Sequence, residues 1–96
     1  MADPLPSDEA TANAVVVNEH GMHARPAAQF VTEARKFDAD VKVQCRDVGP
    51  VSARSMIGLA TLGARKGDTI RLSATGPEAE QAVEALAHFV SSGFGE

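Results

Sequence analysis

Two short runs of strict alternation narrow the folds open to this chain more than any other feature. Val41, Val43 and Cys45 alternate with Lys42, Gln44 and Arg46, and Ile70, Leu72 and Ala74 alternate with Thr69, Arg71 and Ser73. Successive side chains of a strand point to opposite faces, so each run is apolar on one side and wet on the other. Strands buried on both faces, as in parallel sheets, would read as continuous apolar runs instead. The chain therefore calls for a largely antiparallel sheet with one face covered and one open to water.

The cover comes from segments with a period of 3.6. From Ala24 to about Lys36, the residues Ala27, Phe30, Val31 and Ala34 fall at i, i+3, i+4 and i+7, which predicts an amphipathic helix. Pro26 fits its first turn, where the missing N–H is no loss. Phe37 closes this helix against the core, and Asp38-Ala39-Asp40 turns the chain. Ala79, Ala82, Val83, Leu86 and Val90 form the stripe of another helix, introduced by Thr75-Gly76-Pro77 and ended by Gly93. Glu78 and Glu80 complement its positive end. Ser55 suits the cap of a short helix over Met56 to Leu62, with Gly63 as its stop.

The remaining segments are punctuation and two further strands. Ala14-Val15-Val16-Val17 is a β-branched run and the first strand, although its own pattern does not say which face is buried. Asp47-Val48-Gly49-Pro50 reads as a turn on its Gly-Pro pair, with a short partner strand beginning at Val51 and Ala53. Lys66-Gly67-Asp68 reads as another turn. The order is β-α-β-β-α-β-α. It describes an α+β open-faced sandwich, a four-stranded largely antiparallel sheet covered on one face by three helices. Residues 1–12, rich in acids and prolines, read as a disordered leader, and 13–96 as the folded domain.

Composition removes several classes of function. A net charge of −4 argues against general nucleic-acid binding, and all four aromatics are Phe outside the exposed strand positions, which leaves no platform for stacking bases. No stretch approaches the roughly 20 apolar residues of a membrane span, so membrane insertion is not expected. The acidic N-terminus lacks the basic and apolar regions of a signal peptide. Cys45 is the one cysteine. It reads as a small buried hydrophobe, which suits a reducing, cytoplasmic location. His20 and His23 lie three apart without a third ligand nearby, so no metal site is expected, and no cofactor is called for. His88, on the last helix, reads as a structural or surface residue.

The chemistry concentrates at Gly21-Met22-His23-Ala24-Arg25-Pro26-Ala27-Ala28. An imidazole there falls at or beside the start of a helix, where backbone N–H groups lack intrahelical acceptors and the helix dipole is positive. Arg25 adds a fixed positive charge. Such a site stabilises an anion, most naturally a phosphoryl group, beside a nucleophilic nitrogen.

These residues resemble the active-site signature of the histidine-containing phosphocarrier (HPr) family of the phosphoenolpyruvate phosphotransferase system. Arg54-Ser55-Met56-Ile57-Gly58-Leu59, with Thr61-Leu62-Gly63, is similar to the family's second signature, and the likeness runs from about Ala14 to Glu96. The resemblance implies a stoichiometric carrier and not an enzyme. By motif position, His23 would take a phosphoryl group on Nδ1 from Enzyme I and pass it to an enzyme IIA domain. Arg25 matches the arginine that neutralises the phosphate, and the N–H groups of Ala24 and Arg25 would face it. Ser55 matches a serine that an ATP-dependent HPr kinase/phosphorylase modifies in many members. Met22, Gln29, Arg54, Met56, Ile57 and Ala60 match the partner-binding face, and a monomer is the simplest state. Ser91-Ser92-Gly93-Phe94 and Ala74-Thr75-Gly76-Pro77 are similar to the nitrogen-related branch (NPr), whereas Ser55-Met56-Ile57-Gly58 looks like kinase-regulated members. A chiefly regulatory module, whose phosphorylation state controls its partners, is therefore the alternative.

Overall fold

Ile70, Leu72 and Ala74 hold the centre of the fold, each with a buried neighbour on the strand beside it. The computed structural model describes residues 9–95. Its elements are β1 (Ala10–Val15), α1 (Ala24–Ala34), β2 (Asp40–Cys45), β3 (Val48–Ser52), α2 (Met56–Thr61), β4 (Thr69–Thr75) and α3 (Ala79–Ser91). The strands stand in the order β1-β4-β2-β3, and every neighbouring pair is antiparallel. The register sets rows across the covered face: Ala14–Ile70–Cys45, Ala12–Leu72–Val43 and Ala10–Ala74–Val41. The alanines of β1 leave room for α3, which packs across β1 and β4.

The helical stripes bury as their spacing requires. Ala27, Phe30, Val31 and Ala34 of α1 face the core, as do Ala79, Ala82, Val83, Leu86 and Val90 of α3. Phe30 and Phe94 meet edge to face at 6.4 Å between ring centroids, and Phe94 meets Phe89 at 5.9 Å, so the chain end after α3 is stapled to α1. Helix α2 lies between α1 and β3. No helix among the described residues is long and apolar enough to cross a membrane.

The structure corrects two boundaries. The first strand begins at Ala10, inside the stretch assigned to the leader, because Ala10-Thr11-Ala12-Asn13 pairs with β4 through Ala10↔Ala74 and Ala12↔Leu72. Small residues gave that alternation little hydrophobic contrast. Residues 1–8 of the leader lie outside the described residues. The valine run also resolves: Val15 and Val17 are 44% and 45% exposed, while Ala14 and Val16 are buried.

The second correction is the hairpin. Its turn is Arg46-Asp47, with Cys45 opposite Val48 and Arg46 at a left-handed φ of 54°. Gly49 and Pro50, read as the turn, lie within β3. β3 is the edge of the sheet, where a residue without an N–H breaks no ladder on its outer side. A register shift between Val43 and Cys45 accommodates the irregular strand.

Candidate functional site

His23 sits where the loop after β1 becomes α1. It is the N-cap, with extended backbone (φ −100°, ψ −164°), and its carbonyl accepts the first helical bond from the Ala27 N–H at 2.9 Å. The side chain makes no capping bond and is exposed, as are Ala24 and Arg25. The N–H groups of Ala24 and Arg25 have no acceptor among the described residues, and the first turn of α1 carries no acid. The positive end of an eleven-residue helix is thus left uncompensated beside an exposed imidazole.

The loop that delivers His23 is braced by the segment between α2 and β4. Gly21 adopts φ +66°, and a Cβ there would stand 2.2 Å from the Ala64 carbonyl oxygen and 2.9 Å from Arg65 Cα. Only glycine fits that approach. The Met22 N–H donates to the Ala64 carbonyl at 3.0 Å, the His23 N–H to the Gly21 carbonyl at 3.1 Å, and Asn18 Nδ2 to the same Gly21 oxygen at 2.8 Å. Further back, the Val16 N–H donates to the Asp68 carbonyl at 2.9 Å and the Gly67 N–H to the Val16 carbonyl at 2.7 Å. Lys66 pairs with Glu19 at 3.1 Å.

Asp68 is the hub of that brace, and sequence reasoning missed it. Its Oδ2 accepts from the Arg65 N–H at 2.9 Å and from Arg46 Nη1 on the hairpin turn. The Arg65 N–H first, and then the Arg46 guanidinium, hold the Asp68 carboxyl below the usual carboxylate range. The same bond to Asp68 pushes Arg46 further up. An aspartate closing a Lys-Gly-Asp turn was the available signal, but its partner is 22 residues away.

Ser55 caps α2 as its sequence suggests, with Oγ accepting from the Gly58 N–H at 2.9 Å. Met56 is 45% and Ile57 79% exposed, Ala60 and Arg54 are exposed, and Arg54 Nη2 donates to the Ala39 carbonyl at 3.4 Å. Because α2 packs on α1, this apolar patch belongs to the helix pair that carries His23. Gln29 is half-buried, and its Oε1 has no hydrogen-bond partner among the described residues. Met22 must be corrected. It is 3% exposed and part of the core, so its side chain is not available to a docking face. The left-handed turn at Gly21 directs Met22 inward and leaves His23 outside.

The structure adds one neighbour the sequence offered only as an unlikely metal ligand: the His20 and His23 rings meet edge to face, centroids 5.8 Å apart and planes at 82°. Among the described residues, no cluster of three or more His, Cys, Asp or Glu side chains is placed to hold a metal ion. Cys45 is buried in the sheet, and burial pushes its thiol up.

Comparison with known proteins places these observations. Residues 10–92 match the family model described as the PTS HPr component phosphorylation site. The phosphocarrier protein HPr of Vibrio cholerae is 49% identical over 71 residues, covering 74% of this chain and 82% of that protein. The multiphosphoryl transfer protein of Haemophilus influenzae is 43% identical over 96 residues, 98% of this chain but 19% of that protein. The chain thus spans only a small part of the multiphosphoryl relatives it matches, 26% in the Escherichia coli case. In three dimensions it superposes on HPr-C-His of Thermoanaerobacter tengcongensis with a TM-score of 0.82 and 39% identity, over 91% of this chain and 97% of that one.

Proposed function

This chain belongs to the HPr family of the phosphotransferase system, and from that premise we propose that it carries a phosphoryl group on His23 from Enzyme I to an enzyme IIA domain. The supporting observation is the exposed imidazole at the bare N-terminus of α1, with two N–H groups and Arg25 beside it. A neutral ring nitrogen, Nδ1 by family analogy, attacks phosphorus in line with its bond to phosphorylated Enzyme I. The new N–P bond forms as the bond to Enzyme I breaks, and the leaving atom on Enzyme I keeps the electron pair. The Ala24 and Arg25 N–H groups and the Arg25 guanidinium offset charge on the phosphoryl oxygens.

The grip is light, and that suits a relay. A site that held the phosphorylated state much more tightly than the transition state would slow the onward step. Met56 and Ile57, flanked by Arg54, supply an exposed apolar patch with a positive rim for brief docking to acidic partners. The carrier works as a monomer in the cytoplasm, with no turnover of its own. Incubated with phosphoenolpyruvate and Enzyme I, the protein takes up one acid-labile, base-stable phosphate, and His23→Ala takes up none. Label persisting in that variant would remove the assignment.

Ser55 supports a second, regulatory reading that is compatible with the first. Its hydroxyl lies at the start of α2, next to the Met56–Ile57 patch, where a phosphate would place about −2 of charge on the docking face. Kinase and ATP then yield an acid-stable phosphate at Ser55 that weakens acceptance from Enzyme I. Native host extract that leaves Ser55 unmodified would end this version.

A further inference from the structure

We propose that His20 is a second, proton-linked partner of the phosphoryl group on His23, a positioning residue that favours the phosphorylated state when its imidazole is charged. The inference rests on the carrier role assigned to His23. Its observation is the edge-to-face pair at 5.8 Å, held by a loop whose intervening Gly21 is pinned against the Ala64–Arg65 backbone. No hydrogen bond among the described residues engages either ring, so neither is committed elsewhere. A phosphoryl group on His23 would be carried by a ring whose centroid lies 5.8 Å from that of His20.

The charge arithmetic favours an effect large enough to read. The ring separation is shorter than the Debye length of about 8 Å at physiological ionic strength, so the attraction between a phosphoryl dianion and an imidazolium is only partly screened. Histidine is the side chain that changes charge between about pH 5 and 8. The other charged groups borne by the surrounding segments are Glu19, ion-paired with Lys66, Arg25 two residues past His23, and Arg65. By linkage, phosphorylation of His23 draws a proton onto His20, and lowering the pH shifts the transfer equilibrium toward the carrier. His20 supplies charge and takes no part in forming the N–P bond.

The test measures the fraction of full-length protein phosphorylated at equilibrium with Enzyme I at a fixed phosphoenolpyruvate to pyruvate ratio, from pH 5.5 to 8. Relative to His20→Asn, wild type should show an equilibrium constant about three- to tenfold higher at pH 5.5, with the advantage vanishing by pH 8. His20→Lys, with a fixed positive charge, should keep the advantage at both ends. A structural role alone would not restore the effect through lysine or confine it to low pH. Parallel profiles for wild type and His20→Asn overturn the proposal. Wild-type protein that accepts no phosphate overturns the carrier assignment itself, and this inference with it.

Discussion

At the scale of single residues, the site depends on a position that has no chemistry of its own. Gly21 allows the loop to lie on the Ala64–Arg65 backbone, and backbone cannot move aside as a flexible side chain could. Gly67 also has positive φ (+94°) but nothing within 4 Å of its Cβ position, so it separates conformational strain from collision. Gly67→Ala is expected to lose about 1–2 kcal/mol, the cost of the left-handed backbone. Gly21→Ala should lose more than Gly67→Ala in urea unfolding and should also slow phosphate uptake by His23. Equal losses would mean that the loop relaxes freely. Cys45 offers a second residue-scale check. Fully buried, with its thiol pushed up by burial, it should resist a thiol reagent such as DTNB in the folded protein and react promptly in denaturant. The exposed placement of His23 and Arg25 at the start of α1 was legible in the sequence because the signals of a helix start are local. The inward turn of Met22 was not, since it depends on a backbone more than forty residues away.

At the scale of elements, legibility followed contrast. The runs 41–45 and 69–75 alternate between clearly apolar and clearly polar residues, and both proved to be strands. The start of β1 alternates alanine with threonine and asparagine, and only its pairing with β4 reveals it. Gly49-Pro50 carried a turn signal that an edge strand absorbs. The weak helix α2 was legible through its cap, and that cap supports a prediction. Ser55→Ala removes the bond to the Gly58 N–H and should cost about 1 kcal/mol. In a domain of this size that is a fall of about 4–8 °C in Tm. Ser55→Asp keeps a good cap and should retain most of the stability while weakening docking through its charge. Loss of both in Ser55→Asp would show that the element itself fails, and that stability and docking are not separable there.

At the scale of the whole molecule, Asp68 ties together parts that are distant in sequence: the β2–β3 turn through Arg46, its own loop through Arg65, and the strand leading to His23 through Val16. Its carboxyl is held below the ordinary range in the folded protein, so the folded state favours the ionised form. A depressed folded value means stability that is fully present above the unfolded value of about 4 and is lost as pH falls below it. Asp68→Asn removes that contribution at every pH. The variant should therefore unfold at lower urea than wild type at pH 7, and the two midpoints should converge as pH drops from about 4 toward 2. The loss has a local signature as well. With the hub gone, the amides of Val16, Met22 and Gly67 should exchange with deuterium faster than those of Leu72 in the sheet centre, because they join the His23 loop to this brace and Leu72 does not. If both groups accelerate equally, Asp68 supports the fold at large and not the loop. A midpoint gap that stays constant down to pH 2 would instead show that the ionised carboxylate contributes nothing beyond its shape.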